Sequence, residues 1–171
     1  GQWCHRAWMF IPEGFSGQTY FLLLHHYGEA LGHKVSVQMQ FSSSTGLITA
    51  DYDGFTTPYV TGRWVPIVVM IDLVNDWHQV YYDGKLFYEK AWTAGPYNSF
   101  QGELEIDALD LFAQGSTAVY YDDMALDQGG SQAGACCLPD GTCVDAVGRV
   151  RCEAVLGGCY MGNNSRCKDV Y

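Results

Sequence analysis

Before Cys136 the chain contains a single cysteine, Cys4, and across its 171 residues only nine lysines and arginines stand against nineteen aspartates and glutamates. A formal charge of −10, with no basic cluster to displace counterions from a phosphate backbone, excludes nucleic acid as a partner. Long apolar runs are missing too. The longest, Trp64 to Ile71, is broken by Pro66 and falls well short of the roughly 20 residues that span a bilayer, so no membrane insertion is expected. Signatures of nucleophilic catalysis are also absent: Ser42-Ser43-Ser44-Thr45-Gly46 has the composition of a loop between strands, not of a strand-to-helix elbow. The chain opens on Gly1 without an initiator methionine, a basic leader or an apolar leader, and this start reads as processed or truncated.

What is present is alternation. Val35, Val37, Met39 and Phe41 interleave with Lys34, Ser36, Gln38 and Gln40, the period-two pattern of a strand with one face in a core. Further strands are expected over 7–11, 19–26, 47–52, 64–72, 77–82, 85–92, 103–112 and 117–126. So many short strands predict an antiparallel sandwich. Asp83-Gly84 lies between two aromatic-rich strands, and these two residue types tolerate the positive φ angles of a two-residue hairpin.

From Asp127 to Gly134 the chain carries no side chain able to hold a core, and beyond it the remaining cysteines cluster: Cys136, Cys137, Cys143, Cys152, Cys159 and Cys167. We therefore expect a sandwich over 1–128, a linker over 129–134 and a small module over 135–171 that is stapled by disulfides because it is too short to fold on apolar burial alone. Cysteines used in this way assign the chain to an oxidising compartment, extracellular or on the cell surface. Six cysteines allow 15 pairings, and the sequence does not choose among them. Cys4, the odd one, is expected in a disulfide with the module or with another subunit.

The stretch Gly62-Arg63-Trp64 through Asp72-Leu73, followed by Val80-Tyr81-Tyr82-Asp83-Gly84-Lys85-Leu86, resembles the central strands of concanavalin A-like, or laminin-G-like, jelly-roll domains. Ala108–Phe112 and Val119–Leu126 are similar to their closing strands. The tail Gly-Ala-Cys136-Cys137-Leu-Pro-Asp-Gly-Thr-Cys143 resembles a short cysteine-rich repeat of secreted bacterial proteins, departing from it at Cys159. The resemblance implies an all-β, antiparallel jelly-roll β-sandwich with a small disulfide-rich C-terminal module. It also implies a first strand paired beside the closing one. Here the chain is expected to start after that strand, which would leave an edge beside 117–126 open to strand addition by another chain.

Candidate sites follow from the same residues. Glu105 and Asp110 invite comparison with the catalytic strand of laminarinase-type glucanases, where paired carboxylates act as nucleophile and acid/base. Ordinary alternation offers a plainer account, an edge strand with Leu104 and Ile106 pointing inward. Asp122 and Asp123 occupy a position where related sandwiches place a structural calcium, although adjacent carboxylates point to opposite faces of a strand. No other cofactor is indicated, and His5, His25, His26, His33 and His78 show no zinc-ligand spacing. Trp77, Tyr81 and Trp92 are candidate carbohydrate contacts, with Tyr52, Tyr59, Tyr88 and Tyr97 as further rings that could instead fill a core. Asn163-Asn164-Ser165 is a glycosylation sequon.

These features favour a secreted, non-enzymatic structural or surface protein that assembles into a homo-oligomer or polymer through its sheet edge. A lectin-like module that binds polysaccharide is the alternative, and a glucan hydrolase using Glu105 and Asp110 is a third reading.

Overall fold

Period-two alternation does set the architecture. The computed structural model describes all residues except 29–31, 51, 53, 97–102, 129–132, 150, 162–163 and 170–171. In chain order the sandwich strands are β1 (Gln2–Phe10), β2 (Gln18–His26), β3 (Lys34–Ser42), β4 (Leu47–Ala50) and β5 (Phe55–Pro58). They continue as β6 (Trp64–Asp72), β7 (Trp77–Tyr82), β8 (Lys85–Lys90), β9 (Ala108–Asp110), β10 (Ala113–Gln114) and β11 (Tyr120–Gln128). One sheet has the order β11-β1-β6-β7-β8; in the other, β2, β3, β4 and β5 follow one another, and β9 and β10 both pair with the free side of β2. All named pairings within these sheets are antiparallel, as a jelly-roll sandwich requires.

The core lies between the sheets. Met9, Ile67, Val69 and Ile71 of one sheet meet Phe21, Leu23, Met39, Phe41 and Ile48 of the other, and all of these are buried. A ring of this kind removes several kcal/mol worth of apolar surface from water, about 2–3 kcal/mol for each large side chain. At the β7–β8 hairpin, Asp83 and Gly84 adopt φ of 52° and 72°, the paired positive values of a type I′ turn, as expected from the sequence. Gly17 is needed for a different reason: a Cβ there would collide with the carbonyl oxygen of Gly115 where the chain enters β2.

Three expectations are corrected. The position beside the closing strand is not empty, because β1 runs antiparallel to β11 from Trp3↔Gln128 to Phe10↔Tyr120. The strand starts five residues before the alternation becomes legible, since His5 is buried in the core while Cys4 turns to the other face. The open edge is the outer side of β11, which has no partner among the described residues. The strand expected over 103–112 shrinks to β9, and Leu104 is exposed while Ile106 and Leu109 pack on the core. Finally Cys4 is a free thiol within the chain, so the disulfide expected with the module does not form.

The C-terminal module is a three-stranded sheet in the order β13-β12-β14, built from β12 (Ala133–Cys137), β13 (Cys143–Gly148) and β14 (Cys159–Tyr160). Its buried cluster is small: Cys136, Val147, Cys152 and Tyr160, flanked by Leu138 and Leu156. Disulfides Cys136–Cys152 and Cys143–Cys167 tie it together. The first strand begins at Ala133, inside the stretch read as linker. Val155, at the end of the single helical turn Arg151–Val155, packs on Cys4, Val68, Met70 and Tyr81 of the sandwich.

Candidate functional site

Where Val155 lands determines where space is left. The face of β1, β6 and β7 that points away from the core is made of rungs, each a set of residues in register across the sheet. Gln2, Asp72 and Trp77 form the first, Cys4, Met70 and Gln79 the second, and Arg6, Val68 and Tyr81 the third. Rungs separated by two residues share a face, and the residues between them, such as His5, Ile71, Val69 and Val80, belong to the interior. Val155 covers the apolar middle of this surface. The polar first rung and the Arg6 side stay open, and with Asp127 of β11 and the end of β13 they enclose a cleft of about 510 Å³. That size is typical of a small-molecule or saccharide site.

The polar groups on its floor are held in place. Gln2 Nε2 donates to Asp72 Oδ2 at 3.0 Å, and the other carboxylate oxygen accepts the backbone N–H groups of Val74 and Asn75 at 2.9 and 3.1 Å. Asn75 Nδ2 adds a bond of 2.8 Å. Donation from the Asn75 and Gln2 amides, joined by those backbone groups, pulls the Asp72 carboxyl down to about 2, so it is an anion throughout the neutral range. The Gln79 amide is oriented from both ends: its oxygen accepts Tyr81 Oη at 3.1 Å and its nitrogen donates to Glu89 at 2.7 Å. Trp77 stands at the end of the first rung with 41% of its surface exposed.

Cations line the opposite side. Arg149 and Arg151 descend from the module, and Arg6 rises from β1. Arg6 reaches Asp123 at 3.3 Å through Nη2, yet its Nε is buried without an acceptor among the described residues. Arg149 lies over the Tyr160 ring, 5.5 Å from its centroid, which leaves it directed along the module surface and held there by a cation–π contact. Below this polar layer sits the Cys4 thiol, pushed up to about 12 by burial and by the nearby Asp127 charge, with Arg6 opposing. A thiol so hard to ionise is inert as a nucleophile.

The structure sorts the remaining sequence candidates. Of the three carbohydrate candidates, Trp77 lines the cleft and Tyr81 lies partly buried beneath Val155, positioned to orient Gln79. Trp92 is corrected: it is fully buried in the sandwich core, with Nε1 donating to the Glu105 carbonyl at 2.8 Å, and no sugar can reach it. Tyr88 is buried, Tyr59 packs against the core, Tyr52 is exposed away from the cleft, and Tyr97 lies outside the described residues. Glu105 precedes β9 in an irregular segment whereas Asp110 is within β9 opposite Leu22, so the single carboxylate-bearing strand of the glucanase comparison does not form. Asp122 Oδ1 accepts the Asp123 backbone N–H at 2.8 Å, and Asp123 pairs with Arg6. Among the described residues no group of three or more His, Cys, Asp or Glu side chains is placed to hold a metal ion. Cys137 and Cys159 are free thiols, and Asn163 lies outside the described residues.

Sequence reasoning missed the cleft because its walls come from five separate stretches, around residues 2–6, 70–79, 127–128, 133 and 146–151, and only Trp77 carried a signal. No protein-family model matches the chain, and no curated protein does. Among solved structures it is similar to the carbohydrate binding module CBM66 from Bacillus subtilis, at 10% identity and a TM-score of 0.48, over 74% of this chain and 75% of that one. Sheep galectin-11 in complex with glycerol matches at 11% identity and a TM-score of 0.38, over 70% and 89% of the two chains. Domain 4 of AbnA, an extracellular arabinanase from Geobacillus stearothermophilus in complex with arabinotriose, matches at 12% identity and a TM-score of 0.32, over 75% and 61%.

Proposed function

We propose that this chain is a non-enzymatic carbohydrate-binding module of an extracellular or surface protein, and that it takes a short saccharide in the cleft between the sandwich and the cysteine-rich module. The observation that carries the reading is the first rung: a half-exposed Trp77 beside an Asp72–Gln2 pair locked by hydrogen bonds. A pyranose presents one face of C–H groups and a rim of hydroxyls. The indole supplies a flat apolar platform for the first, and pre-oriented carboxylate, amide and guanidinium groups supply acceptors and donors for the second. Because Asp72 and Gln79 are already fixed, little side-chain entropy is lost on binding. Arg6 lines the same cleft, its guanidinium positioned by the 3.3 Å contact of Nη2 with Asp123. Disulfides in the module fit an oxidising, extracellular setting.

Affinity electrophoresis across neutral and acidic polysaccharides tests the proposal, run with and without calcium so that a contribution from Asp122 and Asp123 would appear as a metal dependence. For a retained polysaccharide, Trp77→Ala is expected to weaken binding at least about tenfold, or roughly 1.4 kcal/mol. Retention unaffected by Trp77→Ala, or none on any polysaccharide, overturns the reading.

A second reading, assembly through a sheet edge, draws on β11. Its outer side is unpaired among the described residues, and Tyr120, Met124 and Leu126 along it are each more than two-fifths exposed. An unprotected apolar edge is suited to pairing with a second copy of the chain. Sedimentation of the wild type against Met124→Lys distinguishes the two: assembly through β11 gives an oligomer that the lysine dissolves, and a wild-type monomer at high concentration removes this reading.

A further inference from the structure

The module carries a row of sulfurs that its two disulfides do not exhaust. β12 is the central strand, and Cys137 is in register with Cys143 of β13 on one side and with Cys159 of β14 on the other. Residues directly opposite across antiparallel strands put their side chains on the same face, with Cβ atoms generally about 4.5–5.5 Å apart. The neighbouring Cys136 therefore points to the opposite face, where it is buried and bonded to Cys152. On the row itself Cys143 is bonded to Cys167, and Cys137 Sγ lies 4.0 Å from Cys143 Sγ. That leaves Cys137 and Cys159 as two thiols facing each other, the first half-buried and the second exposed.

We propose that Cys137 and Cys159 form a reversible third disulfide, made and broken by exchange with a low-molecular-weight disulfide of the glutathione class. The exposed Cys159 thiolate attacks one sulfur of the small disulfide, forming a mixed disulfide and releasing one small thiol. Cys137, as thiolate, then attacks Cys159 Sγ, which forms the Cys137–Cys159 bond and releases the second small thiol. Two protein thiols are oxidised, one small disulfide is reduced to two thiols, and the two protons given up by the protein are taken by those thiols. A disulfide needs Cβ atoms about 3.8 Å apart, so the strands must approach by about 1 Å. The strand that has to move is β14, which is only two residues long and stands at the sheet edge, tethered by Met161 N–H to the Ala135 carbonyl and by Gly158 N–H to that of Cys152. Cys4 takes no part, being buried on the sandwich with its thiol too weakly acidic to exchange.

Thiol counting in denaturant, before and after equilibration with glutathione disulfide, reads the outcome directly. The reduced pair leaves three titratable thiols, Cys4, Cys137 and Cys159, and we expect oxidation to reduce the count to one. Cys4→Ser should then titrate no thiol, whereas Cys159→Ser and Cys137→Ser should each retain two thiols or one thiol plus a glutathione adduct. Cleavage before Asp140 separates Cys137 from Cys143, so tandem mass spectrometry of the oxidised wild-type protein should find Cys137 linked to Cys159 and Cys143 still linked to Cys167. A count that stays at three, a stable glutathione adduct on wild-type Cys159, or a Cys137–Cys143 link with Cys167 released would each overturn the proposal.

Discussion

The sandwich and the C-terminal module face the same problem, the loss of chain entropy on folding, and meet it by different means. Over residues 1–128 the buried cluster runs to nineteen side chains and contains no disulfide. In the module the buried cluster is four residues, two of them the cystine Cys136–Cys152, and a second bridge ties Cys143 to Cys167. Apolar burial scales with volume, so a large sheet pair can stabilise itself while a sheet of three short strands needs cross-links that restrict its unfolded ensemble. The cleft falls at the junction of these two regimes, with a rigid floor and a roof whose order depends on sulfur chemistry.

The strongest way to break this comparison is through the core. Phe21 is fully buried and contacts His5 edge-on at 5.6 Å between ring centroids. Phe21→Ala is expected to cost about 4 kcal/mol in urea unfolding of the sandwich, and fragments of the module should keep both cystines. Next comes Cys136→Ser, which removes the buried bridge and should cost about 3 kcal/mol locally. Hydrogen exchange should then accelerate throughout β12, β13 and β14 while β2, β3 and β6 keep their protection. Loss of protection in both regions at once would mean that they form one cooperative unit.

A smaller effect per group is expected from acid, acting through the buried histidines of the sandwich. Burial holds the folded His5 down to about 4 and His78 to about 3, the latter also disfavoured by Lys90. Since both lie below the unfolded value of about 6.5, protons bind the unfolded chain first. Stability is thus level in pH above about 6.5 and falls as the pH drops below it, at pH 5 by roughly 2 kcal/mol for each histidine. Thermal melts between pH 7 and pH 4 should show this limb, and His78→Phe should make it shallower. The smallest change is Gly84→Ala, expected to cost about 1 kcal/mol because an alanine at φ of 72° is strained.

Legibility in the sequence follows the same division. The bounds of β6 and β7 coincide with the alternating stretches 64–72 and 77–82, because one face is uniformly apolar and the Asp83-Gly84 turn ends the run. β1 was only half visible, since its first residues place His5 inward and both Cys4 and Arg6 beneath the module, reversing the usual polarity of the two faces. Trp92 and Trp77 illustrate the same limit: both are tryptophans near a hairpin, but one fills the core and the other lines the cleft. Only packing separates them. Pairing among the six clustered cysteines is illegible because it depends on strand register in the module, and a shift of one residue would bring Cys136 instead of Cys137 opposite Cys143 or Cys159.

Titration of isotopically labelled protein with a retained oligosaccharide, followed by NMR, is the most direct test of the central claim. The account predicts that the largest shifts fall on the Trp77 indole N–H and the Gln2 and Gln79 side-chain amides, with Arg149 and Arg151 moving in step. Saturable shifts confined to the β2–β5 sheet, with the Trp77 indole unmoved, would contradict it.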